Sequence, residues 1–247
     1  MSAEPLGSAK RQTQFTRRGG TQLEIEDASE RVRSIIDRLF AGDSIATAAD
    51  PPIRHDVRTV AISPAEGEAL TRWVLRERAA KTVEVGLGFG LSALHICDGL
   101  VRSADPHARH VVLDPFQSEG FANRGLQALE EAGVASLVEL HEEISQTALP
   151  AFLKAGREFD LAFVDGNHRF DAVFLDLFYL GRLLPRGGVI LVDDYDLPGV
   201  RRAVSFYLNN LAWRVEESSR PDDEHTWVAL RTSSAEDARH FRYFVDF

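Results

Sequence analysis

Apolar and polar positions alternate along the chain in a way that predicts strands followed by helices. From about residue 80 onward, short apolar runs are separated by longer segments whose apolar residues recur at helical spacing. Strands that alternate with helices form right-handed βαβ units, and these build a parallel sheet covered by helices on both faces. The predicted strands lie at residues 82–85, 110–113, 137–141, 159–164 and 189–192. The predicted helices lie at residues 91–101, 123–132, 149–154, 170–184 and 199–211.

Two further strands are predicted near the end of the chain, at residues 213–217 and 226–230, around the polar connection SSRPDDEH. Because they are close in sequence, we expect them to form an antiparallel hairpin at the sheet edge. The fold class is therefore α/β, with a mostly parallel seven-stranded sheet and an antiparallel edge hairpin.

The first part of the chain predicts an extension of this domain. Residues 1–24 are polar, residues 27–40 have helical apolar spacing, and residues 43–62 form a polar connection. Ser63-Pro64-Ala65-Glu66 is typical of a helix start, and that helix would run to about Arg78. We divide the chain into residues 1–60, an arm and helical extension that could act as a lid, and the domain 61–247. A frayed terminus is the alternative for the arm.

Composition narrows the class of protein. The chain has 247 residues, a formal net charge of −10, 44% hydrophobic residues and one cysteine. An acidic balance argues against nucleic acid as the main partner, and a single cysteine excludes an intrachain disulfide. No apolar run approaches the roughly 20 residues that span a bilayer, and the first residues lack the apolar stretch of a secretory signal. We expect a cytoplasmic protein with no membrane partner. The aromatic C-terminal segment would dock on the domain or on a second copy, which leaves a homo-oligomer open.

A glycine-rich loop follows the first strand of the sheet. Gly86, Gly88 and Gly90 lie between that strand and a helix, where ligands bind in doubly wound sheets. A nicotinamide fingerprint would space the third glycine one residue later, and no Gly-Lys-Ser/Thr phosphate loop is present. The spacing, with Glu84 two residues before the first glycine, favours a cofactor without a pyrophosphate. A turn required only by packing is the alternative.

Acidic residues end three other strands. Asp114 follows the second strand, where a carboxylate can accept both hydroxyls of a ribose or simply cap the next turn. Asp165 ends the fourth strand, and Asp193 and Asp194 end the fifth. Because neighbouring parallel strands lie about 4.8 Å apart, these last three carboxylates should converge and repel one another unless a cation lies among them. Oxygen ligands suit Mg²⁺, Ca²⁺ or Mn²⁺. Strand-end capping without a metal is the alternative.

The segment from about Ile62 to Leu211, with VEVGLGFGLSAL as its first motif, resembles class I S-adenosylmethionine-dependent methyltransferases. More narrowly, it is similar to the catechol O-methyltransferase-like, metal-dependent group, which implies a Rossmann-like fold. The resemblance implies that Glu84 and the glycines 86, 88 and 90 line the cofactor and that Ile62 touches its carboxylate end. It further implies that Ser92 holds the methionine carboxylate, Asp114 the ribose, and Ser145 with Gln146 the adenine.

The resemblance also implies a metal site at Asp165, Asp193 and Asp194, with Mg²⁺ favoured and Asp165 facing the cofactor as well. Asp194 stands where the catechol enzyme has Asn, which puts a catechol substrate in question. His168 lies where that enzyme has its catalytic Lys, and imidazole suits a general base near neutral pH. A helix cap or a surface position is the alternative for His168.

Together these features predict a metal-assisted O-methyltransferase that uses S-adenosylmethionine and acts on a small hydroxylated molecule, such as a secondary metabolite, phenol or sugar. The alternatives are a metal-independent N- or C-methyltransferase and a non-catalytic cofactor-binding module of the same fold.

Overall fold

The computed structural model describes residues 21–42, 44–46, 54–56, 61–220, 223 and 225–247. The predicted arm at residues 1–20 and most of the connection 43–60 lie outside the described residues, so the division at residue 60 and the lid remain predictions. The helices are α1 (Gln22–Phe40), α2 (Pro64–Glu77), α3 (Leu91–Ser103), α4 (Arg124–Glu131), α5 (Ser145–Lys154), α6 (Phe170–Leu183) and α7 (Pro198–Asn210). The strands are β1 (Ser44–Ala46), β2 (Arg54–Asp56), β3 (Lys81–Val85), β4 (Arg109–Leu113), β5 (Val138–His141), β6 (Leu161–Val164), β7 (Val189–Val192), β8 (Arg214–Ser218) and β9 (Val228–Arg231).

The central sheet has seven strands in the order β5-β4-β3-β6-β7-β9-β8. The first five are parallel, whereas β9 is antiparallel to both β7 and β8. This order confirms the predicted α/β class and the antiparallel hairpin. The strand order reverses between β3 and β6, which places the carboxyl ends of these strands at a topological switch point, where open α/β sheets bind ligands.

Side chains from the central strands alternate between two cores, one on each face of the sheet. Leu161 and Phe163 of β6 pack with α1, α2 and α3, whereas Ala162 and Val164 pack with α5, α6 and α7. Both faces are apolar because helices cover both faces, as is usual for parallel sheets. The short apolar runs in the sequence are therefore buried strands, and they hold the loops at their carboxyl ends in fixed positions.

Most predicted elements are found within a few residues of their expected bounds, and α5 is the main difference. We expected a short helical turn at residues 149–154, but the helix begins at Ser145 and contains Pro150. Burial of Ala148, Leu149 and Phe152 stabilises it through tertiary packing, which outweighs the loss of one backbone donor at the proline. The helix therefore presents its first turn, including Ser145 and Gln146, at the edge of the sheet.

The helical extension and the C-terminal segment both pack on the domain. On α1, the Ser29 hydroxyl donates a hydrogen bond to Asp98 of α3 in the buried interface. At the other end of the chain, Asn210 of α7 exchanges two 2.8 Å hydrogen bonds with the backbone of Val245, and Phe247 contacts Phe206. The C-terminal segment thus docks on its own domain. Among the described residues, no helix is long and apolar enough to cross a membrane.

Candidate functional site

The glycine loop turns sharply between β3 and α3 and packs against the end of β6. Gly86 has φ +95°, and a Cβ atom there would lie 2.0 Å from the backbone oxygen of Asp165. Only glycine permits both this backbone angle and this close approach. The loop backbone is therefore held against the strand that carries Asp165, which joins the two motifs in one site.

Asp114 braces the glycine loop from the end of β4. Its Oδ2 accepts hydrogen bonds from the backbone N–H groups of Leu87 (3.1 Å) and Gly88 (3.0 Å). Oδ1 accepts the N–H of Phe116 at 2.9 Å. The side-chain amide of Gln117 donates to both Asp114 Oδ2 (2.9 Å) and the Gly88 carbonyl oxygen (2.8 Å). Asp114 thus caps the turn that follows β4, which was the alternative to a ribose contact. It also lines the cavity described below, in which we expected a ribose to bind.

Glu84 has a different position from the one we expected. Its side chain is fully buried, and its Oε2 lies 2.8 Å from Nε2 of His110 on β4. Neither Glu84 nor Gly90 lines the cavity described below. Gly90 instead caps the N-terminus of α3. The positions of Glu84 and Gly90 therefore do not support direct contact with a cofactor.

A cavity of about 690 Å³ opens at the carboxyl ends of β3, β4, β6 and β7. Its volume is within the usual range for sites that bury a small organic ligand. Apolar walls are formed by Leu87, Phe89, Phe116, Phe121 and Ile144, among others. The cavity brings together eleven of the predicted site residues: Ile62, Gly86, Gly88, Ser92, Asp114, Ser145, Gln146, Asp165, His168, Asp193 and Asp194.

Three charged groups meet at one end of this cavity. His168 Nε2 lies 3.0 Å from Asp194 Oδ2 and 3.5 Å from Asp165 Oδ1. One ligand atom from each of these side chains lies within 4.8 Å of the other two. Asp193 lines the same cavity, but its Oδ1 accepts the backbone N–H of Asp194 at 2.7 Å, and its carboxylate is outside this group of three.

The backbone at Asp194 has φ +51°, an angle that few residues other than glycine, Asn and Asp adopt. This left-handed turn directs the chain from β7 into the segment that precedes α7. Gly199 then packs so closely that a Cβ atom would lie 2.8 Å from the His168 backbone oxygen. The start of α7 thereby holds the segment that carries the imidazole.

The crowded carboxylates disfavour one another's ionisation. Burial, followed by the charges of Asp165 and Asp194, raises the pKa of Asp193 to about 8. Burial also raises the pKa of Asp165 to about 6, although His168 partly opposes this. In return, the Asp165 carboxylate raises the pKa of His168 above its ordinary value. These shifts are typical of functional sites.

A fourth acid, Glu66 of α2, lies behind this cluster. Its side chain is fully buried, and it meets the carboxyl group of Asp193, whose charge and hydrogen bond both act on it. Burial, together with the charges of Asp193 and Asp165, raises the pKa of Glu66 well above its ordinary value. Sequence analysis assigned Glu66 only to the helix start, because its spacing carries no signal of the three-dimensional approach to β7.

The donor set fits a divalent cation. The carboxylates supply hard oxygen ligands, and within the described part of the chain no lysine or arginine lines the cavity to neutralise them. The buried carboxyl group of Glu66 adds to the same deficit of positive charge. The residues present therefore suit a cation, with His168 as the other group that offers positive charge.

The structure adds residues that sequence analysis did not assign to the site. Asn167, His225 and Phe121 line the cavity, and Gln117 braces the loop. His225 reaches the cavity from the connection between β8 and β9, which no local pattern could indicate.

We compared the chain with protein-family models, curated protein sequences and solved structures. Residues 83–195 match a family model described as a methyltransferase domain. No curated protein sequence is significantly similar to the chain. The fold is similar to that of the O-methyltransferase TomG from Streptomyces achromogenes, involved in tomaymycin synthesis and solved with S-adenosylmethionine. That match has 22% identity, covers 87% of this chain and 91% of that one, and has a TM-score of 0.60.

Two other solved structures give similar values. An O-methyltransferase from Bacillus cereus in complex with S-adenosylhomocysteine has 16% identity, coverage of 83% and 91%, and a TM-score of 0.62. Cofactor-bound Rv0187 from MTB has 21% identity, coverage of 85% and 91%, and a TM-score of 0.62. At these identities the likeness establishes the fold. Residues 83–195 are therefore similar to a methyltransferase domain, and the chain has the α/β fold of these solved methyltransferases.

Proposed function

We propose that this protein transfers a methyl group from S-adenosylmethionine to a hydroxyl group of a small molecule, with the help of a divalent cation. The observation that carries the proposal is one cavity that contains both the glycine loop with Asp114 and the group Asp165, His168 and Asp194. Methyl transfer to a hydroxyl requires a cofactor site and a proton-accepting group within one cavity.

The cofactor end is assigned from the placement of its polar residues. Ser92 lies in the first turn of α3, where backbone N–H groups favour an anion such as the methionine carboxylate. Asp114 lies at the position expected for the ribose, and Ser145 with Gln146 at that expected for the adenine. When bound, S-adenosylmethionine would supply the methyl group, and these residues would hold the cofactor in one orientation.

The cation would be held by Asp165 and Asp194, with Asp193, which lines the same cavity outside the group of three, as the third predicted ligand. Its charge would lower the pKa of a nearby hydroxyl group and orient it. Mg²⁺ is favoured because carboxylate oxygens supply the site. The apolar walls of the cavity suit an uncharged acceptor, such as a phenol, a sugar or a secondary metabolite.

His168 is proposed as the general base. Its Nε2 atom would accept the proton that the hydroxyl loses as the methyl group is transferred, and Asp165 and Asp194 orient the ring. The same carboxylates raise the pKa of His168, which opposes its use as a base near neutral pH. Carboxylates that are engaged by a cation lose much of this effect, so the metal and base assignments support each other.

A metal-independent methyltransferase is the second candidate, and one observation favours it. His168 already lies within 3.0 Å of Asp194 and 3.5 Å of Asp165. A protonated imidazole in that position would partly compensate the acids without a cation. N- or C-methylation of a small molecule would then be the activity.

The test is calorimetric titration of the purified protein with S-adenosylhomocysteine, in Mg²⁺ and in chelator, followed by a separate titration with Mg²⁺ or Mn²⁺. We expect cofactor binding in both conditions and a distinct cation heat. Asp165→Ala should abolish the cation heat, because it removes one carboxylate of the group of three. Asp196→Ala, which removes an exposed acid two residues after Asp194, is the matched control.

A screen of hydroxylated acceptors with radiolabelled S-adenosylmethionine should then detect chelator-sensitive methyl transfer. Transfer that persists fully in chelator would support the metal-independent candidate. Failure to bind S-adenosylhomocysteine in either condition would overturn the proposed function.

A further inference from the structure

Four neighbouring apolar side chains stay exposed on the segment that follows β9, although that segment is docked on the domain. Phe241 is 85% exposed, Phe244 61% and Tyr243 49%. Val245 is 39% exposed, and we call these four residues the aromatic strip. Single exposed apolar residues are ordinary on a protein surface, whereas a contiguous group marks a surface that binds a partner.

The inner side of the same segment is held on α6 and α7. The side-chain amide of Asn210 donates to the Val245 carbonyl oxygen, and its Oδ1 accepts the Val245 N–H, both at 2.8 Å. The ring centroid of Phe247 lies 5.1 Å from that of Phe206 and 6.3 Å from that of Phe170. Because these contacts already order the segment, a partner that binds the strip loses little affinity to ordering it.

The apolar area of the strip matches the apolar share of an ordinary protein interface. Phe247 connects Phe244 to Phe170, which is also partly exposed. With an aromatic side chain counted at about 150–250 Å², the strip and Phe170 expose roughly 400–500 Å² at their fractional exposures. A standard interface covers about 800 Å² on each partner, and about 60% of that area is apolar. The strip therefore has the apolar area that one side of a dimer interface needs.

The charges within the strip favour a second copy of this chain as the partner. Arg242 and Asp246 are exposed, and neither has an ion-pair partner in the described part of the chain. They lie two residues to either side of Phe244. In a two-fold interface, residue i meets residue j while j meets i. Two antiparallel strips would therefore set Arg242 against Asp246 of the second copy at two equivalent positions, with Phe244 at the axis.

We propose that the aromatic strip is the two-fold interface of a homodimer of this chain, in which Phe244 packs across the axis and Arg242 pairs with Asp246 of the second copy. None of the four strip residues lines the cavity. The dimer therefore does not depend on the proposed function, and either can fail without the other.

The test is sedimentation velocity of the full chain over a wide range of concentration. The native protein should sediment as a dimer that dissociates on dilution. Arg242→Asp and Asp246→Arg each set like charges opposite one another at both equivalent positions, so each should raise the dimer dissociation constant at least about tenfold. Phe244→Ser should raise it as well, because it removes the apolar contact at the axis. Leu23→Ser is the matched control, since Leu23 of α1 is 67% exposed and lies outside the strip.

A mixture of the two charge variants tests the antiparallel pairing itself. Arg242→Asp has an acid at both positions and Asp246→Arg has an arginine at both, so neither should pair with itself. The two variants should pair with each other, with about the native dissociation constant. The double variant, in which the two charges are exchanged, should form a homodimer again.

Four results would overturn the proposal. The first is a native protein that stays monomeric at every concentration. The second is a dimer that Phe244→Ser does not weaken, because its interface would then lie elsewhere. The third is a mixture of the charge variants that associates no more tightly than either variant alone. The fourth is a native monomer that binds vesicles of zwitterionic phospholipid and loses that binding in Phe244→Ser, which would assign the strip to a lipid surface.

Discussion

Replacement of Gly86 by Ala tests whether the glycine loop must lie against β6. Gly86 has φ +95°, and the added Cβ would lie 2.0 Å from the Asp165 backbone oxygen. Gly156→Ala is a matched control, because Gly156 also has a positive angle, φ +67°, but nothing lies within 4 Å of its Cβ position. The difference between the two variants isolates the close approach from the cost of the backbone angle.

The expected magnitudes follow from these two contributions. A left-handed angle costs an L-residue about 1–2 kcal/mol, which is the whole expected effect of Gly156→Ala. Gly86→Ala adds overpacking against backbone that cannot rotate away, which costs about 1–3 kcal/mol more. A change of 1 kcal/mol shifts the Tm by about 2–4 °C in a chain approaching this size. We therefore expect losses of about 2–8 °C for Gly156→Ala and about 4–20 °C for Gly86→Ala, with the loss larger in Gly86→Ala.

The assay is thermal unfolding, followed by calorimetric titration with S-adenosylhomocysteine well below the Tm. Gly86→Ala should also lose cofactor binding, because β3 and β6 separate at the site, whereas Gly156→Ala should bind as the native protein does. Equal Tm losses in the two variants, or normal cofactor binding by Gly86→Ala, would refute the argument that this contact organises the site.

Three further predictions concern the acids and the imidazole. His168→Gln should lower kcat by about 100-fold, the usual contribution of a general base, with little change in S-adenosylhomocysteine affinity. The metal-free protein should be less stable at pH 8 than at pH 5, because folding raises the pKa values of Asp165 to about 6 and Asp193 to about 8. The folded state then holds protons that the unfolded state has released, so stability falls as the pH rises from about 4 to 8. Glu66→Gln should raise the Tm of the metal-free protein at pH 8, since it removes a buried acid that is crowded by the carboxylates of Asp193 and Asp165, whereas the exposed Glu68→Gln should not.

Each of these three predictions can be contradicted by a specific result. If His168→Gln leaves both kcat and the pH–rate profile unchanged, His168 is not the general base. A Tm that rises or stays level between pH 5 and pH 8 would contradict the crowding of the acids, and added Mg²⁺ should reduce the fall. A lower Tm for Glu66→Gln at pH 8 would show that the carboxylate has a stabilising partner.

Much of the fold could be predicted because its signals are local. The apolar runs at β6 and β7 are buried on both faces, so they stand out in the sequence without knowledge of their neighbours. Ser63 and Pro64 mark the start of α2 through capping chemistry that spans a few residues. Acids at the ends of parallel strands converge because the sheet brings these ends together, and Asp165 and Asp194 were found in this way. Even so, the length of α5 was missed, since tertiary burial rather than local pattern sets its start.

Other properties of the site depended on contacts between distant segments. The sequence placed Glu84 on the cofactor, whereas packing of β3 against β4 pairs it with His110. It showed nothing of Glu66 or His225, whose roles arise from burial and from which neighbour each meets. Local spacing determines helices, strands and the ends where polar residues collect, because these follow from backbone geometry. Tertiary structure alone decided which carboxyl groups are crowded or shielded from water, because desolvation and charge proximity depend on residues far apart in the chain.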